Sequence, residues 1–97
     1  MDEEKFGMMY DNFSNIYSEL EGIMGSLYEE LQNEPENVEK ANLLQGLGSV
    51  AKRTLESQMN FVEAYGEAHI KESLLSNLDA KKQVLVDALA IDRDRFR

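Results

Sequence analysis

The first thirty residues carry an apolar pattern with a regular period. Its positions follow one another at alternating steps of four and three residues, as in the seam of a coiled coil. No proline interrupts this stretch. The pattern predicts a helix 1 over about residues 4–31. The seam is formed by Phe6, Tyr10, Phe13, Tyr17, Leu20, Met24, Leu27 and Leu31.

A second apolar row runs beside this seam. Met9, Ile16 and Ile23 follow one another at steps of seven residues, which places them on one side of helix 1. Together with the seam they make an apolar face wider than a two-stranded coiled coil needs. We therefore expect helix 1 to contact more than one neighbouring helix.

The only proline of the chain marks the end of helix 1. Asn33 tolerates the left-handed backbone that terminates helices, and Pro35 fits the first turn of a new helix, where its missing N–H costs nothing. Apolar positions at steps of three and four then continue from Val38 to Tyr65. So short a connection forces helices 1 and 2 into an antiparallel hairpin.

The end of helix 2 has two interpretations. Gly66 is one candidate stop; alternatively, helix 2 continues to about residue 75, and Gly66 allows a kink. The run from Ser76 to Asp79 resembles a capping box. This favours the longer helix 2, over about residues 35–75, followed by a helix 3 over about residues 77–95.

These patterns predict an all-α fold in a single domain over residues 1–97. Its architecture is a long antiparallel helical hairpin plus a third helix, arranged as a three-helix bundle or a coiled-coil-like assembly. Helix 3 has the weakest apolar face, because Lys81 and Lys82 stand where a continuous stripe needs a large apolar side chain. We expect it to be the least stable of the three helices.

Charge is distributed unevenly along the chain. The net charge is −9, and residues 1–40 hold eleven acidic and two basic side chains, which accounts for all of it. Clustered Lys and Arg, which phosphate binding needs, are missing there. We therefore expect no direct binding of nucleic acid. An acidic surface suits a basic protein partner, or serves only to keep the chain in solution.

The sequence contains no pattern typical of an enzyme. It has no Cys and one His, His69, which lacks the second His or Cys of a common metal site. The residue three positions before it is Gly66, so a di-iron Glu-x-x-His pair is not formed. We expect no catalytic site, no metal and no cofactor.

Composition also bears on location. The apolar runs are too short to cross a membrane, and the first residues do not resemble a signal peptide. A small secreted domain more often has disulfides. We expect a protein of the cytoplasm, or of the host-cell cytoplasm if it is viral, with no membrane partner.

The remaining function is binding to protein. Our leading hypothesis is a protein–protein interaction or oligomerisation module, with a second copy among the candidate partners. Met8 and Met9 are adaptable contact residues, and Tyr28 lies off the seam, where it can serve as an exposed anchor. The acidic candidates for contact are Glu19, Glu21, Glu29, Glu30, Glu34, Glu36 and Glu39.

Two resemblances supply alternatives. In charge and size the chain resembles small acidic viral inhibitors, which implies a protein that covers a basic, nucleic-acid-binding surface. Across about residues 6–65, two long helices joined by a short turn at Glu34-Pro35 resemble the central oligomerising hairpin of phage small terminase subunits. The basic DNA-binding element usual in that family has no counterpart here.

Overall fold

Three α-helices make up the part of the chain that the structure describes. The computed structural model describes residues 1–89, and these contain α1 (Glu3–Asn33), α2 (Val38–Tyr65) and α3 (Ala68–Leu89). The predicted all-α class, with a long hairpin and a third helix, is confirmed. The expected end of helix 3 near residue 95 lies outside the described residues.

The connection between α1 and α2 is a tight turn followed by a capped helix start. The amide of Asn37 donates to the carbonyl of Glu34 at 3.0 Å, and Pro35 occupies the second position of that turn, which suits its fixed φ. The Asn37 side chain then accepts from the amide of Lys40 at 3.0 Å. The expectation that helix 2 starts at Pro35 is therefore wrong, because Asn37 is the cap and the helix begins at Val38.

The break between α2 and α3 lies at Gly66, about ten residues before the predicted position. The amide of Gly66 donates to the carbonyl of Val62 at 2.7 Å, and the backbone then becomes extended. The carbonyl of Glu67 accepts from Ile70 and Lys71 as α3 begins. The shorter interpretation of helix 2 is thus the observed one. The preferred interpretation, with helix 2 reaching residue 75 and helix 3 starting at 77, is wrong.

The reason lies in what surrounds each candidate break. A Cβ atom on residue 66 would lie 2.6 Å from the carbonyl oxygen of Val62, so only glycine fits this close turn. The run from Ser76 to Asp79 meets no such constraint and continues as helix. A capping box requires an extended backbone at its first residue. Here the helical hydrogen bonds of α3 and the burial of Leu78 prevail instead.

The helices lie side by side with α2 in the middle. α2 packs against both neighbours, and each neighbour runs antiparallel to it, whereas no Cα atom of α1 comes within 8 Å of one in α3. The described part measures 49 × 25 × 14 Å. Its radius of gyration is 15.5 Å, against about 12 Å for a compact domain of this length. The described part is therefore elongated and flattened rather than spherical.

The predicted seam forms the core between α1 and α2. All of its positions except Phe13 belong to the core cluster or pack against it, and the Phe13 ring lies 5.7 Å from that of Phe61. Phe6 also stacks on Phe61, at 5.0 Å. The buried apolar side chains of this core cluster are Tyr17, Met24, Leu27, Leu44, Ala51, Leu55, Val62, Leu78 and Leu85.

Polar contacts fix how the helices are aligned. The buried Gln58 amide donates to the Tyr10 carbonyl at 3.1 Å and to Ser14 Oγ at 3.0 Å, which sets the register of α1 on α2. Between α2 and α3, Lys82 pairs with Glu56 at 3.0 Å. Lys81 Nζ lies 5.0 Å from the centre of the Tyr17 ring. The two lysines that interrupt the apolar face of α3 therefore contact the other two helices.

Candidate interaction surface

The second apolar row of α1 is left uncovered. Met9, Ile16 and Ile23 are exposed, because α3 packs on the other side of α2 and the backbone of α1 lies against α2 alone. The expectation that helix 1 contacts more than one helix holds through side chains alone: Lys81 of α3 lies over the Tyr17 ring, whereas the backbone of α1 packs only against α2.

α2 contributes a matching row on the same side. Leu43 and Val50 are exposed and seven residues apart. Val50 and Ile16 line one open groove of ≈ 270 Å³ between α1 and α2, together with Phe13 and Arg53. We call the set of Met9, Ile16, Ile23, Leu43 and Val50 the apolar strip. Each of its side chains is 39–51% exposed.

One opposite charge stands at each edge of the strip. Glu19 lies three residues after Ile16 and four before Ile23, so it adjoins both. Arg53 lies three residues after Val50 and lines the groove. Within residues 1–89 neither Glu19 nor Arg53 has an ion-pair partner. The strip is thus bordered by an unpaired carboxylate on α1 and an unpaired guanidinium on α2.

The predicted acidic residues do not form one surface. Glu19 and Glu21 are two residues apart on a helix, which places them about 200° apart around its axis; Glu19 borders the strip, and Glu21 lines a different groove. Glu29 is exposed in α1, Glu36 lies in the turn, and Glu39 lies in the first turn of α2. These carboxylates are spread around the molecule rather than aligned.

Two of the acidic residues have a structural role at the hairpin. Lys40 Nζ lies 2.7 Å from a carboxylate oxygen of Glu30 and 2.6 Å from one of Glu34. Hydrogen bonds from Lys40 and Asn37 hold the pKa of Glu34 below its usual value. The hydrogen bonds that Lys40 donates to Glu30 and Glu34 raise the pKa of Lys40. These charges brace the turn, which reduces their availability to a partner.

Tyr28 lies on another surface. It is exposed at the edge of a groove of ≈ 370 Å³ between α1 and α3. Tyr17 lies in the same groove, and burial, then the charge of Glu21, raises the pKa of its phenol. The groove is lined by Tyr17, Glu21, Met24, Gly25, Tyr28, Leu44, Lys81, Val84, Leu85, Ala88 and Leu89.

The paired methionines separate as well. Met9 belongs to the apolar strip, whereas Met8 is exposed beside Asp2, Glu4 and Lys5 at the start of the chain. The structure therefore brings Met9 and Glu19 to one surface and leaves Met8 and Tyr28 on others. Sequence reasoning missed Leu43, Val50 and Arg53, although a step of seven residues in helix 2 could have revealed the first two.

No metal or membrane feature stands out in the described residues. No three His, Asp or Glu side chains of residues 1–89 converge so that they could hold a metal ion. His69 is exposed, with Nδ1 3.4 Å from a carboxylate oxygen of Glu67. None of α1, α2 and α3 combines the length and the apolar character needed to span a bilayer.

The apolar strip thus brings together five of the exposed large apolar side chains of the described residues. Comparison with known proteins adds no further guide to it. No family model matches the chain, and neither a curated protein nor a solved structure matches it.

Proposed function

We propose that this chain is a non-enzymatic protein–protein interaction module that binds through the apolar strip. The observation that carries the proposal is the exposure of Met9, Ile16, Ile23, Leu43 and Val50 along one side of the α1–α2 hairpin. Contiguous exposed apolar patches with polar edges are typical of binding surfaces. We place the interaction in the cytoplasm, where a small domain without disulfides is the usual case.

The energetics support a binding role for these positions. The core of the hairpin does not use them, since the seam residues already fill the contact with α2. Covering one isoleucine or leucine side chain fully contributes roughly 1.5–3 kcal/mol. Five such side chains, each about half exposed, therefore offer a partner several kcal/mol, which a polar surface would not provide.

The other two hypotheses lack a comparable observation. An acidic inhibitor of a basic surface calls for aligned carboxylates, whereas the candidate carboxylates here are spread around the molecule, and Glu30 and Glu34 are already paired to Lys40. A likeness to the terminase hairpin rests on the helical pattern alone. Neither is proposed as the function.

Site-specific photo-cross-linking in the source cells tests the proposal. A photoreactive amino acid is placed at Ile16 or at Val50, and the matched control carries it at Val84, which is also exposed but lies on α3. We expect protein adducts from positions 16 and 50 and few from position 84. Mass spectrometry then identifies each adduct as the chain itself or another protein. Absence of adducts from both strip positions would contradict the proposal.

A further inference from the structure

We infer that the occupant of the apolar strip is a second copy of this chain, with α1 of each protomer lying antiparallel on α2 of the other. The inference rests on the proposed function and adds to it the partner and the orientation. The resulting dimer has two-fold symmetry and a four-helix core formed by two α1–α2 hairpins. Each α3 then lies outside that core.

The available area is that of a stable dimer. α1 and α2 side by side form a face about 20 Å wide on a molecule 49 Å long. The outline of that face is therefore roughly 1,000 Å², which is comparable to the approximately 800 Å² of accessible surface that each partner contributes to a stable complex.

The composition of the strip points to the same occupant. Both helices of the hairpin contribute exposed apolar side chains to it, so a second hairpin laid on the strip covers the exposed side chains of both copies at once. Antiparallel four-helix packing with short connections is a common solution for such faces.

Charge selects between the two possible two-fold arrangements. α1 carries seven carboxylates and one lysine, whereas α2 carries three acidic and three basic side chains. Placing α1 on the partner's α1 would bring two strongly acidic helices together. Placing α1 on the partner's α2 sets an acidic helix against a neutral one, which avoids that repulsion.

The edge charges agree with this choice. The contacts of Gln58 with Tyr10 and Ser14 place residue 58 level with about residue 12, so Glu19 stands within about two residues of the level of Arg53 on the antiparallel helix. With α1 on the partner's α2, Glu19 of each copy faces Arg53 of the other. The other two-fold arrangement, with α1 on the partner's α1, would set Glu19 against Glu19 of the other copy.

Light scattering combined with charge exchange tests both the partner and the orientation. Wild type is expected to be a dimer, and Ile16→Ser with Ile23→Ser a monomer, while Val84→Ser stays dimeric. At low salt, Glu19→Arg and Arg53→Glu should each weaken the dimer by about threefold to thirtyfold, because two exposed ion pairs become like-charged pairs. The double exchange should restore the wild-type dissociation constant to within about threefold.

The matched control separates pairing from net charge. Glu29→Arg makes the same change in charge at an exposed position of α1 outside the strip, and it should not weaken the dimer. A dimer in which the double exchange gives no recovery would overturn the orientation. A monomer at all concentrations would overturn the inference, and cross-links from Ile16 to a different protein would then leave the proposed function standing.

Discussion

Two glycines near the end and the middle of α2 differ in what surrounds them. A Cβ atom at Gly66 would meet the Val62 carbonyl oxygen at 2.6 Å, whereas one at Gly46 would find no heavy atom within 4 Å. The backbone angles of Gly66 are ones that any residue can adopt. Its requirement for glycine is therefore purely one of space.

Replacing each of these glycines by alanine should have opposite effects. Gly66→Ala forces the turn to open, and we expect it to lower the free energy of unfolding by roughly 1–3 kcal/mol. Gly46→Ala should raise it by roughly 0.5–1 kcal/mol, because alanine is the better helix former in a helix interior. Urea denaturation followed by circular dichroism measures both. A Gly66→Ala chain as stable as wild type would refute the steric explanation.

Gln58 is the one buried polar side chain among the described residues. Gln58→Ala leaves a cavity and removes both hydrogen bonds to α1, so we expect a loss of roughly 2–4 kcal/mol in unfolding free energy. Gln58→Met fills nearly the same volume without those bonds, and it should cost only about 1 kcal/mol. Equal losses in the two variants, measured by urea denaturation, would show that hydrogen bonding rather than volume dominates at this position.

At the scale of elements, the sequence predicts the existence of helices better than the residues at which they begin and end. The predicted seam of α1 is confirmed because its period extends over the whole helix. The break after α2 was misplaced because Ser76–Asp79 and Gly66 are both local stop signals, and only packing around Val62 decides between them. Exposure of Ile16 and Ile23 could not be foreseen, because it depends on which side of α2 receives α3.

The ion pairs at the hairpin turn should make the stability of the fold depend on pH. The lowered pKa of Glu34 stabilises the fold above the unfolded pKa of a glutamate, and this contribution is lost as pH falls through the folded value. The raised pKa of Lys40 stabilises below the unfolded pKa of a lysine and is lost as pH rises through the folded value.

Lys40→Met removes the contribution of Lys40 and the largest cause of the lowered pKa of Glu34, while the hydrogen bond from Asn37 to Glu34 remains. We expect the Lys40→Met variant to be less stable than wild type at pH 7. The difference in unfolding free energy between the two should shrink towards strongly acidic and strongly basic pH. Lys5→Met is the matched control. It removes the same charge from a lysine that forms no ion pair in the described part of the chain. A difference that is constant with pH, in urea midpoints, would exclude the ion pairs as its source.

α3 should be the helix that opens most easily. It has only two buried residues, Leu78 and Leu85, with Lys81 and Lys82 between them, whereas α2 has seven buried residues. Amide hydrogen exchange should therefore be faster at residues 80–89 than at residues 13–27 of α1. Equal protection of the two segments would show that α3 is as firmly held as the hairpin.

At the scale of the whole molecule, the apolar strip makes stability sensitive to association, because a partner that covers the strip binds only the folded chain. If two copies stack as inferred, the melting temperature should rise by about 2–4 °C for each tenfold increase in protein concentration. Ile16→Ser with Ile23→Ser should melt at one temperature throughout that range. Calorimetry of both chains provides the comparison, and a wild type that melts at a constant temperature would argue against a dimer.

The position of α2 between two helices whose backbones do not meet has a consequence for how the chain folds. The backbone of each outer helix packs against α2 alone, so most of the packing energy lies in two nearest-neighbour interfaces, as in a linear array. Most contacts join helices adjacent in sequence, which favours rapid folding. The α1–α2 hairpin can then form and persist before α3 docks, as a partly folded species that already displays the complete apolar strip.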